Sequence, residues 1–147
     1  MKGSFPKPGE KAEIIARLLV RVYEIHEVII AETGGLPGLR DARLLHAAVA
    51  RPFATFGGRE LYPTDFEKAA ALFHSLIKSH PFMDGTKRTA FASALYFLEQ
   101  CGHTVPEKLP MDEVILFCVK LAEESQESVQ PKSIAEIAAW FRHLLGK

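Results

Sequence analysis

The sequence predicts an all-α fold, a compact bundle of about six helices, and three observations support this prediction. Apolar residues recur every three or four positions in six stretches, and most of these stretches begin at a capping residue or a proline. Only one longer segment, residues 52–63, lacks this periodicity. Of the 147 residues, 48% are hydrophobic and 24% are charged, which is the composition of one globular domain. We therefore expect a flexible tail over residues 1–9 and a single domain over residues 10–147.

The first helix is predicted over residues 10–32, because its apolar positions fall on one helix face. That face consists of Ile14, Leu18, Val22, Ile25 and Ile29. Gly34-Gly35 ends this helix, since glycine readily adopts the positive φ of a helix terminus. Asp41 is then placed to cap a short second helix, which Pro52 follows. The apolar face of the second helix consists of Leu44, Leu45, Ala48 and Val49.

The irregular segment predicts a short β-hairpin or flap near residues 53–62. Gly57-Gly58 can supply the positive φ angles of a tight turn, and apolar residues flank this pair. The flanking residues are Phe53, Phe56, Leu61 and Tyr62. They are too apolar for a free loop, so we expect some of them to face a groove that a partner segment covers.

Four more helices are predicted after the flap. Thr64 and Glu67 have the spacing of a capping box, as do Ser133 and Glu136. The predicted helices lie at 64–79, 87–101 and 110–123, with a last one from Ser133. Their inward residues are predicted to be Phe66, Ala69, Ala70, Phe73, Leu76, Ile77, Ala90, Phe91, Ala94, Leu95, Leu98, Val114, Ile115, Cys118, Leu121, Ile137, Trp140, Phe141 and Leu144.

The charge balance and the apolar runs exclude several classes of protein. Eighteen Lys and Arg residues balance eighteen Asp and Glu residues, so no global charge favours nucleic acid or an anionic membrane. No apolar run approaches the roughly 18 residues of a membrane span, and the first residues lack the apolar stretch of a signal peptide. Cys101 and Cys118 lie among apolar neighbours, which is typical of buried thiols in a reducing compartment. We expect a cytoplasmic protein that binds neither nucleic acid nor membrane.

One loop concentrates residues suited to chemistry, between the predicted helices at 64–79 and 87–101. Gly85 permits a tight turn, and the helix start behind it exposes free N–H groups that bind anions. Lys87 and Arg88 add positive charge there, and a carboxylate beside a phosphate, Asp84, suggests a bound Mg²⁺. His80 titrates near neutrality, as a general base must. This combination predicts phosphoryl or nucleotidyl transfer.

Each of these residues also has a structural interpretation when taken alone. A single His at a helix end is commonly a cap or a surface residue, and Asp84 could simply interact with the helix dipole. Lys87-Arg88 alone would be a solvated pair. The other histidines show no metal-ligand spacing, and we interpret them as core or surface residues. They are His26, His46, His74, His103 and His143.

The loop H-P-F-M-D-G-T-K-R-T, residues 80–89, resembles the motif of the Fic/Doc superfamily, H-x-F-x-(D/E)-(A/G)-N-(G/K)-R. Within the superfamily it is most similar to the Doc branch, the toxins of toxin–antitoxin pairs. Lys87 stands where most Fic adenylyltransferases have Gly and where Doc has Lys, and G-G-L-P-G-L-R-D at 34–41 is also Doc-like. The closing helix with Trp140 falls where Doc-like chains end. The resemblance spans roughly residues 20–145.

The resemblance implies a role for each loop residue. His80 matches the base that deprotonates a target Ser or Thr, and Asp84 matches the Mg²⁺ ligand. The residues that match the phosphate-binding positions are Gly85, Thr86, Lys87 and Arg88. By this resemblance the chain would transfer the γ-phosphate of ATP to elongation factor Tu and arrest translation, with residues 53–62 as the flap that aligns the target.

One position departs from the family motif, since Thr86 replaces Asn. The Thr side chain reaches less far than that of Asn and donates only one hydrogen bond. The change would therefore weaken the activity, retune the phosphate contact or be tolerated because it lowers toxicity during expression. Alternatively, Thr86 caps the next helix. Three functions therefore stay open: a Doc-like kinase, a Fic-type adenylyltransferase, and a silent homologue that binds nucleotide or antitoxin. No Ser or Thr is followed four residues later by Glu, the spacing of the superfamily's self-inhibiting helix. We therefore expect a separate antitoxin.

Overall fold

The computed structural model describes residues 8–124 and 132–147 and confirms the all-α prediction. Within these ranges the structure has six α-helices, one 3₁₀ turn and one two-stranded hairpin. The helices are α1 (Pro8–Thr33), α2 (Ala42–Ala50), α3 (Asp65–Ser79), α4 (Thr86–Gln100), α5 (Met111–Glu123) and α6 (Ile134–Leu144). The 3₁₀ turn is Arg51–Phe53, and the strands are β1 (Thr55–Phe56) and β2 (Arg59–Glu60). Residues 1–7 of the expected tail lie outside the described residues, whereas residues 8 and 9 already belong to α1.

Helix α3 forms the centre of the bundle. It packs against α2, α4, α5 and α6, while α1 packs on α2 and α4. Eight of the 15 residues of α3 are buried, because its apolar residues surround most of the helix rather than one stripe. The loop between α3 and α4 therefore leaves one buried helix and enters another, which fixes both of its ends.

Three predicted helix caps are confirmed. The side chain of Asp41 accepts a hydrogen bond from the Arg43 amide, and complete capping boxes begin at Thr64 and Ser133. The predicted hairpin is also present: Thr55 pairs with Glu60, and Gly57 and Gly58 have φ angles of 59° and 79°. Two successive residues with positive φ match the right-handed twist of a two-residue hairpin turn.

Two residues predicted to face the core are exposed. Ile14 is 38% exposed because α1 is about 39 Å long and α4, its main partner, only about 22 Å, so the first turns of α1 extend past α4. Ile115 is 56% exposed because it lies one step around α5 from the buried Val114 and faces a surface groove instead. The helical period identified the faces of both helices but not which part of each face is covered.

Both cysteines are free, Cys101 half-buried and Cys118 buried. Burial raises the pKa of the Cys118 thiol to about 11 and that of Cys101 to about 12, so both thiols are protonated at neutral pH. In the described part of the chain, none of the helices is both long enough and apolar enough to cross a bilayer.

Candidate active site

The loop at residues 80–85 starts with a strained residue. Helix α3 ends at Ser79, and His80 has φ 51° and ψ 62°, the left-handed region. His80 is the only described non-glycine residue with positive φ, a conformation that costs roughly 1–2 kcal/mol. Pro81 follows and restricts its neighbour further, so α3 cannot continue through this point. Such strain persists only where surrounding contacts impose it.

Arg40 imposes the conformation of His80. Its Nε donates to the carbonyl oxygen of His80 at 2.8 Å, and its Nη2 donates to that of Ser79 at 2.6 Å. The backbone amide of Arg40 also donates to the carbonyl oxygen of Pro81 at 2.7 Å. A single arginine therefore satisfies the carbonyl group of the last residue of α3 and holds the first two residues of the loop.

Segment 34–41, which contains Arg40 and is here called the strap, lies along the loop. Leu39 and Phe82 form an antiparallel β-bridge, and the Met83 amide donates to the Gly38 carbonyl at 3.1 Å. At Gly35, an added Cβ would lie 3.2 Å from both Cβ and Oδ2 of Asp84, so a side chain here would push Asp84 away by a few tenths of an ångström. The strap therefore fixes the loop along its outer side, and its close contact with Asp84 favours glycine at position 35.

The inner side of the loop is anchored in the core by an aromatic pair. Phe82 is fully buried and stacks on His26 of α1, with ring centroids 3.8 Å apart and planes 10° apart. Nε2 of His26 lies 2.8 Å from the carbonyl oxygen of Asp84. Of the two alternatives that the sequence leaves open, core or surface, the structure shows His26 to be a core residue, and it also contacts the candidate site.

The N-terminus of α4 lies directly behind this loop. Gly85 is its N-cap, with φ 76° and no capping side chain, and the first turn contains no acidic residue. In contrast, the side chains of Asp41, Thr64 and Ser133 cap α2, α3 and α6. The first N–H groups of α4 are therefore available to an anion, and the helix dipole favours one there.

Two cations and one carboxylate surround this helix start. Lys87 and Arg88 are exposed on the first turn of α4. Asp84 is exposed, and its Oδ2 accepts the Leu36 amide at 2.8 Å. The described residues contain no group of three or more His, Cys, Asp or Glu side chains that could hold a metal ion by themselves. A Mg²⁺ ion commonly binds one carboxylate together with substrate phosphates, and Asp84 beside a helix start that is available to an anion fits this chemistry.

The imidazole of His80 is suited to accept a proton at neutral pH. Partial burial lowers its pKa, and the nearby charges of Arg40 and Lys87 lower it further, while Asp84 opposes them. The ring is therefore mostly neutral at pH 7 and has a free basic nitrogen. The charges of Lys87 and Asp84 both act on the pKa of His80, so the predicted base shares one electrostatic environment with the predicted phosphate and metal residues.

Thr86 occupies an unexpected environment. It is the first residue of α4 and only 3% exposed, and its hydroxyl is buried without a hydrogen-bond partner. Because Gly85 is the N-cap, the interpretation of Thr86 as the cap of this helix is wrong. The hydroxyl does not face solvent in this conformation, and its contact with phosphate stays a prediction.

A groove of about 500 Å³ lies beside the helix start, between α1, α4 and α5. Lys87 and Arg88 line one part of it, and its other walls are mostly apolar. The remaining lining residues are Ile29, Glu32, Phe91, Met111, Val114, Ile115, Cys118 and Val119. The sequence did not predict this groove, because its helical pattern places Ile115, one of the lining residues, in the core.

The flap has both buried and exposed apolar residues. Phe53 is buried, whereas Phe56 is 79% and Leu61 51% exposed. Arg51 anchors the end of the flap, because its Nε donates to the hydroxyl of Tyr62 at 3.0 Å. A further ion pair joins Lys68 of α3 to Glu60 at 2.6 Å. Phe56 and Leu61 are therefore uncovered, whereas the expectation that such residues face a groove covered by a partner segment stays a prediction.

Sequence reasoning missed the roles of two residues that organise the loop. Arg40 had a partial signal, because it lies within the motif-like segment 34–41. His26 had none beyond being a histidine on an apolar helix face, because its contact with the loop spans 58 residues.

The family of the chain follows from its similarity to known sequences. A family model described as the Fic/DOC family matches residues 19–98, more than half of the chain. The chain belongs to the Fic/DOC family. The matched range contains the loop, the strap and the flap, which are therefore parts of a Fic/DOC domain.

Two curated relatives of this Fic/DOC chain carry Doc names. Toxin Doc of Mycolicibacterium smegmatis is 54% identical over 69 residues, which cover 47% of this chain and 53% of that protein. Protein kinase doc of Escherichia phage P1 is 38% identical over 79 residues, which cover 53% of this chain and 61% of that protein. The chain thus spans between half and two thirds of the length of either relative. The matches confirm the predicted membership of the Fic/Doc superfamily and the similarity to Doc.

Proposed function

We propose that this chain is a Doc-like toxin that transfers the γ-phosphoryl group of ATP to a Ser or Thr hydroxyl of elongation factor Tu. Phosphorylation of this translation protein would arrest protein synthesis. The names of the two relatives, a toxin and a protein kinase, support the proposal. Lys87, which stands where adenylyltransferases of the superfamily have Gly, supports γ-phosphoryl transfer over AMP transfer.

The observation that carries the proposal is the uncapped N-terminus of α4. Four features of a phosphoryl-transfer site meet there: free backbone N–H groups, two exposed cations, one carboxylate and a neutral imidazole. Catalysis of this reaction depends mainly on positioning and on charge stabilisation, and a rigid helix start provides both.

The reaction assigns one role to each group. The imidazole of His80 accepts the proton of the target hydroxyl, whose oxygen forms a bond to the γ-phosphorus as the bond to the β–γ bridging oxygen breaks and ADP leaves. Lys87, Arg88 and the amides of the first turn stabilise the phosphate charge. Asp84 would hold Mg²⁺, which neutralises phosphate charge when bound. The flap, with Phe56 exposed, would align the target segment by strand pairing.

The test uses ATP labelled separately at the α and γ positions, with purified elongation factor Tu as acceptor. The proposal expects label on the factor from the γ position only. Label from the α position would make the chain an adenylyltransferase, and no label from either position would indicate a silent homologue. His80→Ala serves as the matched control, because loss of a general base typically removes about 10²–10⁴ in rate. Transfer at the wild-type rate by this variant would contradict the assigned mechanism.

We also propose that a separate antitoxin covers the groove beside α4. Its apolar walls and the cations Lys87 and Arg88 suit an amphipathic helix that carries an acidic residue. Co-expression of a candidate antitoxin should restore the growth of cells producing the chain. Ile115→Glu should abolish this rescue without lowering transfer, because its charge opposes an apolar helix face. Full rescue of the Ile115 variant would exclude the groove as the antitoxin site.

A further inference from the structure

Asp84 is held through both its backbone and its side chain. His26 Nε2 lies 2.8 Å from its carbonyl oxygen, and the Leu36 amide donates to its Oδ2 at 2.8 Å. A carbonyl oxygen can only accept, so Nε2 of His26 carries the proton and donates. The two donors come from α1 and from the strap, 58 and 48 residues earlier in the chain.

His26 contacts more of the loop than Asp84 alone. Its ring is 2% exposed and stacks on Phe82, two residues before Asp84. Its Cδ2 also lies 3.7 Å from the point where a Cβ on Gly85 would stand. One buried side chain therefore stacks on Phe82, binds the Asp84 carbonyl and lies beside Gly85.

The Asp84 carbonyl group is part of the planar peptide unit that follows Asp84, so its direction sets the orientation of the whole unit. That unit joins Asp84 to Gly85, which has φ 76° and caps α4. A rotation there would redirect both the carboxylate and the first amides of the helix. The donor on His26 opposes that rotation, since a part-buried carbonyl without a partner is unfavourable.

We propose that His26 is a positioning residue for the phosphate and metal groups of this site. Its Nε2–H fixes the Asp84 carbonyl, and thereby aims the Asp84 carboxylate and the amides of the α4 start. His26 touches no reacting atom and acts through this hydrogen bond. The effect on catalysis rests on the proposed phosphoryl transfer, whereas the effect on loop order exists in the free protein.

Two substitutions distinguish the effect of the N–H donor of His26 from that of its ring. His26→Phe keeps the ring that stacks on Phe82 and removes the N–H donor. His26→Gln removes the ring and keeps an N–H donor of similar reach. If the donor positions the loop, the Gln variant restores what the Phe variant loses.

Amide hydrogen exchange in the free protein tests loop order directly. The amides of Leu36 and Met83 donate to Asp84 and Gly38, so their protection depends on the loop staying in place. We expect both to exchange roughly tenfold faster, or more, in His26→Phe, and close to the wild-type rate in His26→Gln. The amide of Leu61, bonded within the flap at 3.0 Å, serves as the reference and should not change.

The kinetic readout is γ-phosphoryl transfer. We expect kcat to fall roughly 10- to 100-fold in His26→Phe, with a smaller change in KM for ATP and recovery to within a few-fold in His26→Gln. Unchanged exchange at Leu36 and Met83 in the Phe variant would overturn the proposal. Equal losses in the Phe and Gln variants would also overturn it, since the variant that keeps an N–H donor would then do no better than the one that lacks it.

A third variant covers a failure of His26→Phe to fold. His26→Asn carries the same amide as Gln, one methylene closer to the backbone, so its donor falls short of Asp84. Exchange at Leu36 should then be faster in Asn than in Gln, and equal exchange would refute the role of the donor. A wild-type protein that transfers no phosphate would refute the kinase proposal alone, because the exchange comparison needs no substrate.

Discussion

Gly85→Ala should weaken both the fold and the proposed reaction, and Gly34→Ala supplies a matched control. Both glycines have φ 76°, and any L-residue pays roughly 1–2 kcal/mol in this region. Restricting the unfolded chain returns about 0.4–1 kcal/mol. We therefore expect Gly34→Ala, where nothing lies within 4 Å of the new Cβ, to lower the free energy of unfolding by about 1 kcal/mol.

The two sites differ in the space around the new methyl group. At Gly85 the added Cβ would lie 3.3 Å from Cδ1 of Ile30 and 3.6 Å from Cγ2 of Ile29. These contacts force α1 and the loop apart by a few tenths of an ångström, which adds about 1 kcal/mol. At roughly 2–4 °C per kcal/mol, Tm should fall by about 2–4 °C for Gly34→Ala and about 4–8 °C for Gly85→Ala.

Thermal unfolding followed by circular dichroism measures the two losses, and γ-phosphoryl transfer measures the consequence for the site. Displacement of the α4 start in Gly85→Ala should lower the transfer rate about 100-fold, while Gly34→Ala stays within a few-fold of wild type. Equal Tm losses would refute the argument from the Ile30 contact. An undiminished transfer rate in Gly85→Ala would show that the α4 start need not keep this geometry.

Three further predictions concern neighbouring residues. Because the lowered pKa of His80 keeps its imidazole neutral, transfer should persist below pH 6.5 and decline only as the pH falls through that lowered pKa. Arg40→Gln removes one nearby cation, which raises the pKa of His80, so this decline should move to higher pH. An unmoved pH profile would contradict the electrostatic argument. Thr86→Asn should raise the single-turnover transfer rate by about 100-fold with a smaller effect on ATP affinity, and equal rates would exclude a catalytic weakening by Thr86. Thr89 is fully buried with an unpartnered hydroxyl. Because an unsatisfied buried hydroxyl is unfavourable, Thr89→Val should raise Tm by about 2–4 °C. A lower Tm in the melting curve would mean that the hydroxyl has a partner such as a buried water.

The sequence predicted those features whose causes are local. The capping boxes at Thr64 and Ser133 and the Gly57-Gly58 turn each depend on residues within four positions of one another, so their patterns are visible in the chain itself. The predicted loop residues also meet at one place, because the α4 start and the loop are adjacent in sequence. Their identity as a set could therefore be predicted without the fold.

The remaining features depend on distant parts of the chain. Arg40 and His26 reach the loop across 40 and 58 residues, and no periodicity reports such contacts. The helical pattern predicts Ile115 in the core, but the residue is exposed. Such a pattern shows which face of a helix is apolar but not how far a neighbouring helix covers it. The buried hydroxyl of Thr86 was likewise unpredictable, since it depends on how α4 packs.

The bracing of the loop by the strap and α1 also has a consequence for the folding of the chain. The donors from Arg40, Leu36 and His26 all precede the loop in sequence, and each bond closes a segment of 40 to 58 residues. Closing such segments is slow relative to helix formation, so we expect α3 and α4 to form before their junction acquires its shape. During synthesis, the bracing segments leave the ribosome before the loop does. A nascent chain that has not docked α1 would therefore contain every residue of the site without being able to use it.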